Sequence, residues 1–183
     1  MSSPNATQSV YPVSAETEES SECILAIIVD NEPGVLSRVV GLVSARGYNI
    51  ESLTVAETDI EKRASRITVV TSGTPSKIGQ IKAQLGRLVP VRNVIDVTAE
   101  LDALERELAL VKITAQGDSR VEAMRTAEIF RAKPLDVTHE SFVFEVTGTR
   151  EKINAFIDLM RPLGLSEVSR TGVLSIRRGV QSD

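Results

Sequence analysis

Two asparagines, Asn31 and Asn49, frame the stretch of this chain whose residue types best suggest ligand chemistry. The first opens the turn-forming run Asn31-Glu32-Pro33-Gly34, between an apolar segment and a helical stripe. The second follows Gly47-Tyr48 and precedes Ile50. A helix start presents unpaired N–H groups and a partial positive charge, which suits a carboxylate. Gly34 lets a ligand approach the backbone closely, and the Asn49 amide could bond a ligand held by a neighbouring subunit. The competing account is purely structural. Asn31 or Glu32 caps the helix, Pro33 occupies its first turn, and Asn49 is a turn residue after Gly47. Spacing alone favours that account, because caps far outnumber ligand sites.

The other reactive residue types stand alone. His139 is the single histidine and Cys23 the single cysteine, so they assemble neither a metal site nor an internal disulfide. His139 reads as a strand-end surface residue, and Cys23 as a small buried hydrophobe suited to a reducing compartment. No Ser-His-Asp set, GxSxG, P-loop or GxGxxG occurs. The carboxylate-rich "ETDIEK" and "AELDALERE" read as solvated faces.

These residues need a scaffold. With 183 residues, 42% hydrophobic and 25% charged, the chain has the composition of a soluble globular protein of one domain or two small ones. Its net charge of −4 argues against nucleic acid as the main partner. The longest apolar run, Ile24 to Val29, is too short to cross a membrane. Residues 1–21 are rich in Ser, Thr, Pro and Glu, and are expected to be a disordered tail. They lack the features of a secretion signal or transit peptide, so a cytoplasmic protein is expected.

From residue 22 the pattern βαββαβ is written twice. "CILAIIVD" reads as a central strand and Val35 to Val43 as an amphipathic helix that Gly47 ends. "IESLTVA" and "SRITVVT" form a hairpin around a longer, mobile loop. Ile78, Ile81, Leu85 and Leu88 mark a helix starting near Pro75 and Ser76, and "VRNVIDVT" closes the unit by residue 98. Residues 99–107 are polar and helix-favouring, and read as a linker. The second unit, 108–179, repeats the order: a strand, a helix with Val121, Met124, Ala127 and Phe130 on one side, and the strands "PLDVTH" and "SFVFEVTG". A helix carrying Ile153, Phe156, Ile157 and Met160 follows, then an extended segment and a short tail at 180–183. The expected fold is α+β, two ferredoxin-like domains in tandem, each a four-stranded antiparallel sheet with its helices on one face. Ile67 and Val69 point to one face, Thr68 and Val70 to the other. An apolar second face implies association, hence a homo-oligomer. RNA-recognition modules share this topology but stack bases on aromatic residues of central strands. "ILAIIVD" and "RITVV" have none, and Phe142 and Phe144 lack a basic surround.

"NEPGVLSRVVGLVSARGYNIESLTVAET" resembles the signature of the regulatory, or small, subunit of acetolactate synthase (acetohydroxyacid synthase). "ERELALVKI", "TAEIFRAKPLDVT" and "SRTGVLSIRRG" resemble later blocks of that family, in the same order, so the match runs from about Cys23 to Gly179. The resemblance implies that the first domain, 22–98, is an ACT domain and that the chain is a dimer without catalytic residues. It implies a large, catalytic partner carrying thiamine diphosphate, FAD and magnesium, none of them bound by this chain. That enzyme condenses pyruvate with pyruvate or 2-oxobutyrate in branched-chain amino-acid biosynthesis. The small subunit activates it and confers feedback inhibition, most often by valine. Carried onto this sequence, the valine site takes Asn31, Gly34, Val35 and Leu36 from one subunit and Asn49 and Ile50 from the other. A free-standing ACT-domain sensor that controls another enzyme or a transcription factor is the alternative.

Overall fold

The structure, a computed structural model, describes residues 19–61, 63–99 and 103–179. The disorder expected of residues 1–18 and the tail at 180–183 lie outside the described residues. The first domain runs β1 (Ser21–Asp30), α1 (Val35–Ala45), β2 (Ile50–Asp59), β3 (Ala64–Gly73), α2 (Pro75–Leu85) and β4 (Val91–Asp96). Its antiparallel sheet has the order β2-β3-β1-β4. Central β1 is apolar on both faces. Leu25, Ile27 and Val29 meet Val39 and Val43 of α1 and Ile78, Ile81 and Leu85 of α2 in one core. Ile24 and Ala26 face the other way.

Local details differ from expectation where tertiary contacts override local signals. Ser21, expected in the tail, already pairs with Gly73, next to the Glu22↔Ser72 pair. Neither Asn31 nor Glu32 caps α1. Gly34 stands at the N-cap with φ +82° and no side-chain cap bond is made, while the Asn31 amide donates instead to Glu57 Oε1 at 3.2 Å. The helix does stop at Gly47, whose φ of +75° lets its N–H reach Ser44 O and the Tyr48 N–H reach Val43 O. The β2–β3 loop is shorter than expected. Pairing continues to Asp59↔Ala64, because β2 is an edge strand whose charged residues can face water. Thr74 caps α2 by accepting from the Lys77 N–H at 3.4 Å.

The second domain runs β5 (Ala103–Thr114), α3 (Gly117–Phe130), β6 (Lys133–Val137), β7 (Ser141–Gly148), α4 (Arg150–Met160), a 3-10 turn at Arg161–Leu163, β8 (Leu165–Arg170) and β9 (Leu174–Arg177). The sheet order is β6-β7-β5-β8, with β9 on the leading end of β5. Ile153, Phe156, Ile157 and Met160 of α4 are all buried, packed with Phe142 and Phe144. On α3, Met124, Ala127 and Phe130 of the expected stripe pack on this core beside buried Ala123 and Thr126, whereas Val121 is 51% exposed. A three-residue spacing drifts around a helix of 3.6 residues per turn, so its far end leaves the core.

The polar segment read as a linker is extended from Ala103 onward. Ala103 to Arg106 pair with Arg177 to Leu174, a partner too distant in sequence for local helix preference to register. This ribbon also covers the first sheet. Val173 and Ala103 pack on Ile24, Ala26, Val70 and Val97 of the face opposite the helices. That patch therefore gives no ground for a second chain, since its cover comes from the same one.

Candidate ligand loop and its partner strand

The candidate ligand loop leaves β1 at Asp30 and is shaped by backbone bonds. The Asn31 N–H donates to Arg63 O at 2.8 Å, and the Glu32 N–H to Asp30 O at 2.9 Å. Gly34, Leu36 and Asn31 are exposed, and nothing lies within 4 Å of where a Gly34 Cβ would stand. Val35 turns inward onto the core. The loop thus offers an open helix start with a backbone only glycine adopts readily. Beside it, a charged hollow of about 270 Å³ is lined by Asp30, Glu32, Glu61, Arg63 and Arg92 as well as Asn31. Arg92 is bonded to Asp30 at 2.6 Å.

Asn49 and Ile50 lie at the other end of the sheet. Thr71 pairs with Ile50 on one side and Cys23 on the other, while Ala64 pairs with Asp59 and Asp30. Ala64 and Thr71 are seven residues apart along β3, so roughly 23 Å of strand separates the two groups. One chain therefore brings Asn31, Gly34, Val35 and Leu36 together, and Asn49 with Ile50, but not the two sets. The two sets are nonetheless linked by β2. Glu57 near its end holds Asn31, and its start carries Ile50. Glu57 and Thr71, which hold the two asparagines, were not apparent from spacing, because strand register is not written in local sequence.

His139 is exposed in the turn between β6 and β7. Cys23 is buried, its Sγ 3.5 Å from Asp96 Oδ1, and burial above all, then the Asp96 charge, pushes the thiol up to about 12. Among the described residues, no group of three or more His, Cys, Asp or Glu is placed to hold a metal, and no helix is long and apolar enough to cross a membrane.

Residues 25–93 match the profile described as an AHAS small subunit-like ACT domain, and residues 106–179 that of the small subunit of acetolactate synthase. A probable acetolactate synthase small subunit of Archaeoglobus fulgidus is 43% identical over 155 residues, 85% of this chain and 96% of that one. This chain belongs to the acetolactate synthase small subunit family. The isozyme 3 small subunit of Salmonella typhimurium is 45% identical over 157 residues, covering 85% and 95% of the two chains. The crystal structure of the acetolactate synthase small subunit from Thermotoga maritima superposes with a TM-score of 0.80 at 35% identity, over 88% of this chain and 99% of that one. The tandem fold is thus that of a small subunit throughout its described length, and the first domain is of ACT type.

Proposed function

We propose that this chain is the regulatory subunit of acetolactate synthase, which activates a thiamine-diphosphate catalytic subunit and makes it sensitive to valine. The observation that carries the reading is the placement of the ligand residues in two sets at opposite ends of an edge strand. A two-fold axis between Thr54 and Val55 pairs β2 with β2 of a second copy, setting Ile50 opposite the partner copy's strand end. The loop of one copy, tied to Glu57, then meets Asn49 and Ile50 of the other. Edge strands carry unpaired N–H and C=O groups suited to such pairing, and Val55, 45% exposed, adds apolar surface at the axis.

In this arrangement the N–H groups after Gly34 hold the amino-acid carboxylate. The two asparagines take the ammonium through carbonyl oxygens, and Ile50 meets the branched side chain. Valine, leucine and isoleucine differ there by only about 1–3 kcal/mol. A site shared between copies depends on how they pack, and this is what lets a ligand shift one arrangement against another. Thiamine diphosphate, FAD and magnesium belong to the catalytic partner and supply the condensation chemistry. The residues of this chain bind, orient and transmit. Assaying the catalytic subunit with and without this chain, across a valine titration, tests the reading. Activation that valine reverses supports it; a rate indifferent to the chain overturns it.

A further inference from the structure

The two domains meet along β2, immediately after Asn49 and Ile50. Glu51 is the extra residue of a bulge, since Ile50 pairs with Thr71 and Ser52 with Val70, and bulges re-aim side chains. Its carboxylate accepts from Ser72 Oγ and, at 3.3 Å, from Nη1 of Arg150, the first residue of α4. The same guanidinium holds Glu22 on β1. The Ser72 bond foremost, with help from Arg150, keeps the Glu51 carboxyl below its ordinary range. Further along, Ser52 Oγ accepts from the Val173 N–H at 3.3 Å and Thr54 Oγ1 donates to Thr171 O at 3.1 Å. Between them Gly172, at φ +81°, fits so closely that a Cβ would overlap Ser52 Oγ and stand 3.0 Å from Thr54 Oγ1.

The second-domain side of this contact is stiff. Arg170 donates to both Glu107 carboxylate oxygens at 2.6 and 2.7 Å, and to Asn154 Oδ1 at 2.8 Å. Glu107 is 4% exposed, and Thr171 is bonded to the Leu108 backbone at 3.0 and 3.1 Å. Asn154 lies one helical turn from Arg150 on α4. The grip on β2 and the brace behind it are therefore one connected body, around a cleft of about 480 Å³.

We propose that this clamp carries the ligand state of β2 to the second domain, with Arg150 and the Thr171–Val173 strap as its coupling elements. The inference rests on the ligand reading above. A shift of Ile50 is passed covalently to Glu51, and Arg150 has two holders, one on β1 and one on β2. Moving Glu51 changes how the guanidinium is shared, which turns a small strand displacement into a choice between contacts. Ser52 and Thr54 pass the same displacement to the strap.

The test uses the full chain with its catalytic subunit, in parent, Arg150→Gln and Ser52→Ala forms. Calorimetry reads valine binding, hydrogen exchange reads residues 31–36 and 171–173, and the assay reads inhibition. In the parent, valine is expected to slow exchange at both segments. Each variant should still bind valine with parental affinity and activate the enzyme, while the inhibition reached at saturating valine falls about fivefold or more. Parental inhibition in both variants overturns the clamp, as does protection of 31–36 in the parent without change at 171–173. No binding heat in the parent overturns the ligand reading itself, and the clamp with it.

Discussion

Thr71 Oγ1 donates a 2.7 Å hydrogen bond to the carbonyl of Asn49, from a side chain with no exposed surface. This bond fixes the start of β2, where Asn49, one of the two proposed ligand asparagines, sits. Thr71→Val keeps the shape and removes the donor. Asn49 is exposed, so its carbonyl can turn to water, and the loss should stay near 1 kcal/mol. Urea unfolding should show a lower midpoint with an unchanged slope, and valine should bind less tightly. A variant with parental stability and affinity would mean that the bond neither pins the strand nor positions Asn49.

Cys23 should be inert while the protein is folded. The thiolate is the reactive form, and burial raises the thiol from 9.0 to about 12. At pH 8 a thiol reagent should label it only as fast as the chain opens, and completely in denaturant. The sign for stability follows. Above about pH 9 the unfolded chain loses a proton that the folded chain keeps, so this thiol makes stability fall as pH rises toward about 12. Rapid labelling of the folded protein would contradict the burial argument.

Val55→Lys tests the proposed pairing of β2 with β2. A lysine on an edge strand discourages pairing, and two of them near a two-fold axis become close like charges. The parent is expected to be a dimer by light scattering at micromolar concentration, with a dissociation constant that the variant raises about tenfold. A monomeric parent would count against a ligand site shared between copies.

Ending the chain after Ala99 removes Val173 and Ala103 from Ile24, Ala26, Val70 and Val97. A fully buried valine contributes about 1.5–3 kcal/mol, so the shortened chain should lose stability, bind an apolar dye and associate. It should keep the proposed valine-binding residues yet inhibit the catalytic subunit poorly. Full inhibition by the shortened chain would show that the second domain is dispensable for this output.

Much of this architecture is legible in residue order, and the limits have physical causes. The unbroken apolar run of β1 announces a strand covered on both faces; that its second cover is the β5–β9 ribbon is not legible, because the ribbon joins Ala103 to Arg177 across most of the second domain. The α4 stripe is readable since its four apolar residues share one face, and on α3 three of four do, Val121 alone drifting to solvent at the helix start. The proposed ligand residues stand in a string that carries the family resemblance. Their holders Glu57 and Thr71, and the Arg150 and Gly172 contacts on β2, depend on register and domain packing, which no local pattern encodes.

The central claim is that an amino-acid carboxylate sits at the helix start after Gly34, and Gly34→Asp addresses it most directly. Nothing stands within 4 Å of the new Cβ. The left-handed backbone at φ +82° adds strain of about 1–2 kcal/mol, which an acidic group at a helix N-terminus partly offsets. The fold should therefore persist. The ligand meets the opposite situation, a like charge where free N–H groups stood, and losing a charge-assisted bond costs about 1.5–3 kcal/mol. Gly34→Ala, with the same backbone strain and no charge, is the control. Measured as a valine titration of the reconstituted enzyme, Gly34→Asp should activate like the parent and need about tenfold more valine for inhibition, or resist it. The Ala control should stay closer to the parent. A Gly34→Asp variant that activates and is inhibited at the parental valine concentration would contradict the placement of the ligand at this loop.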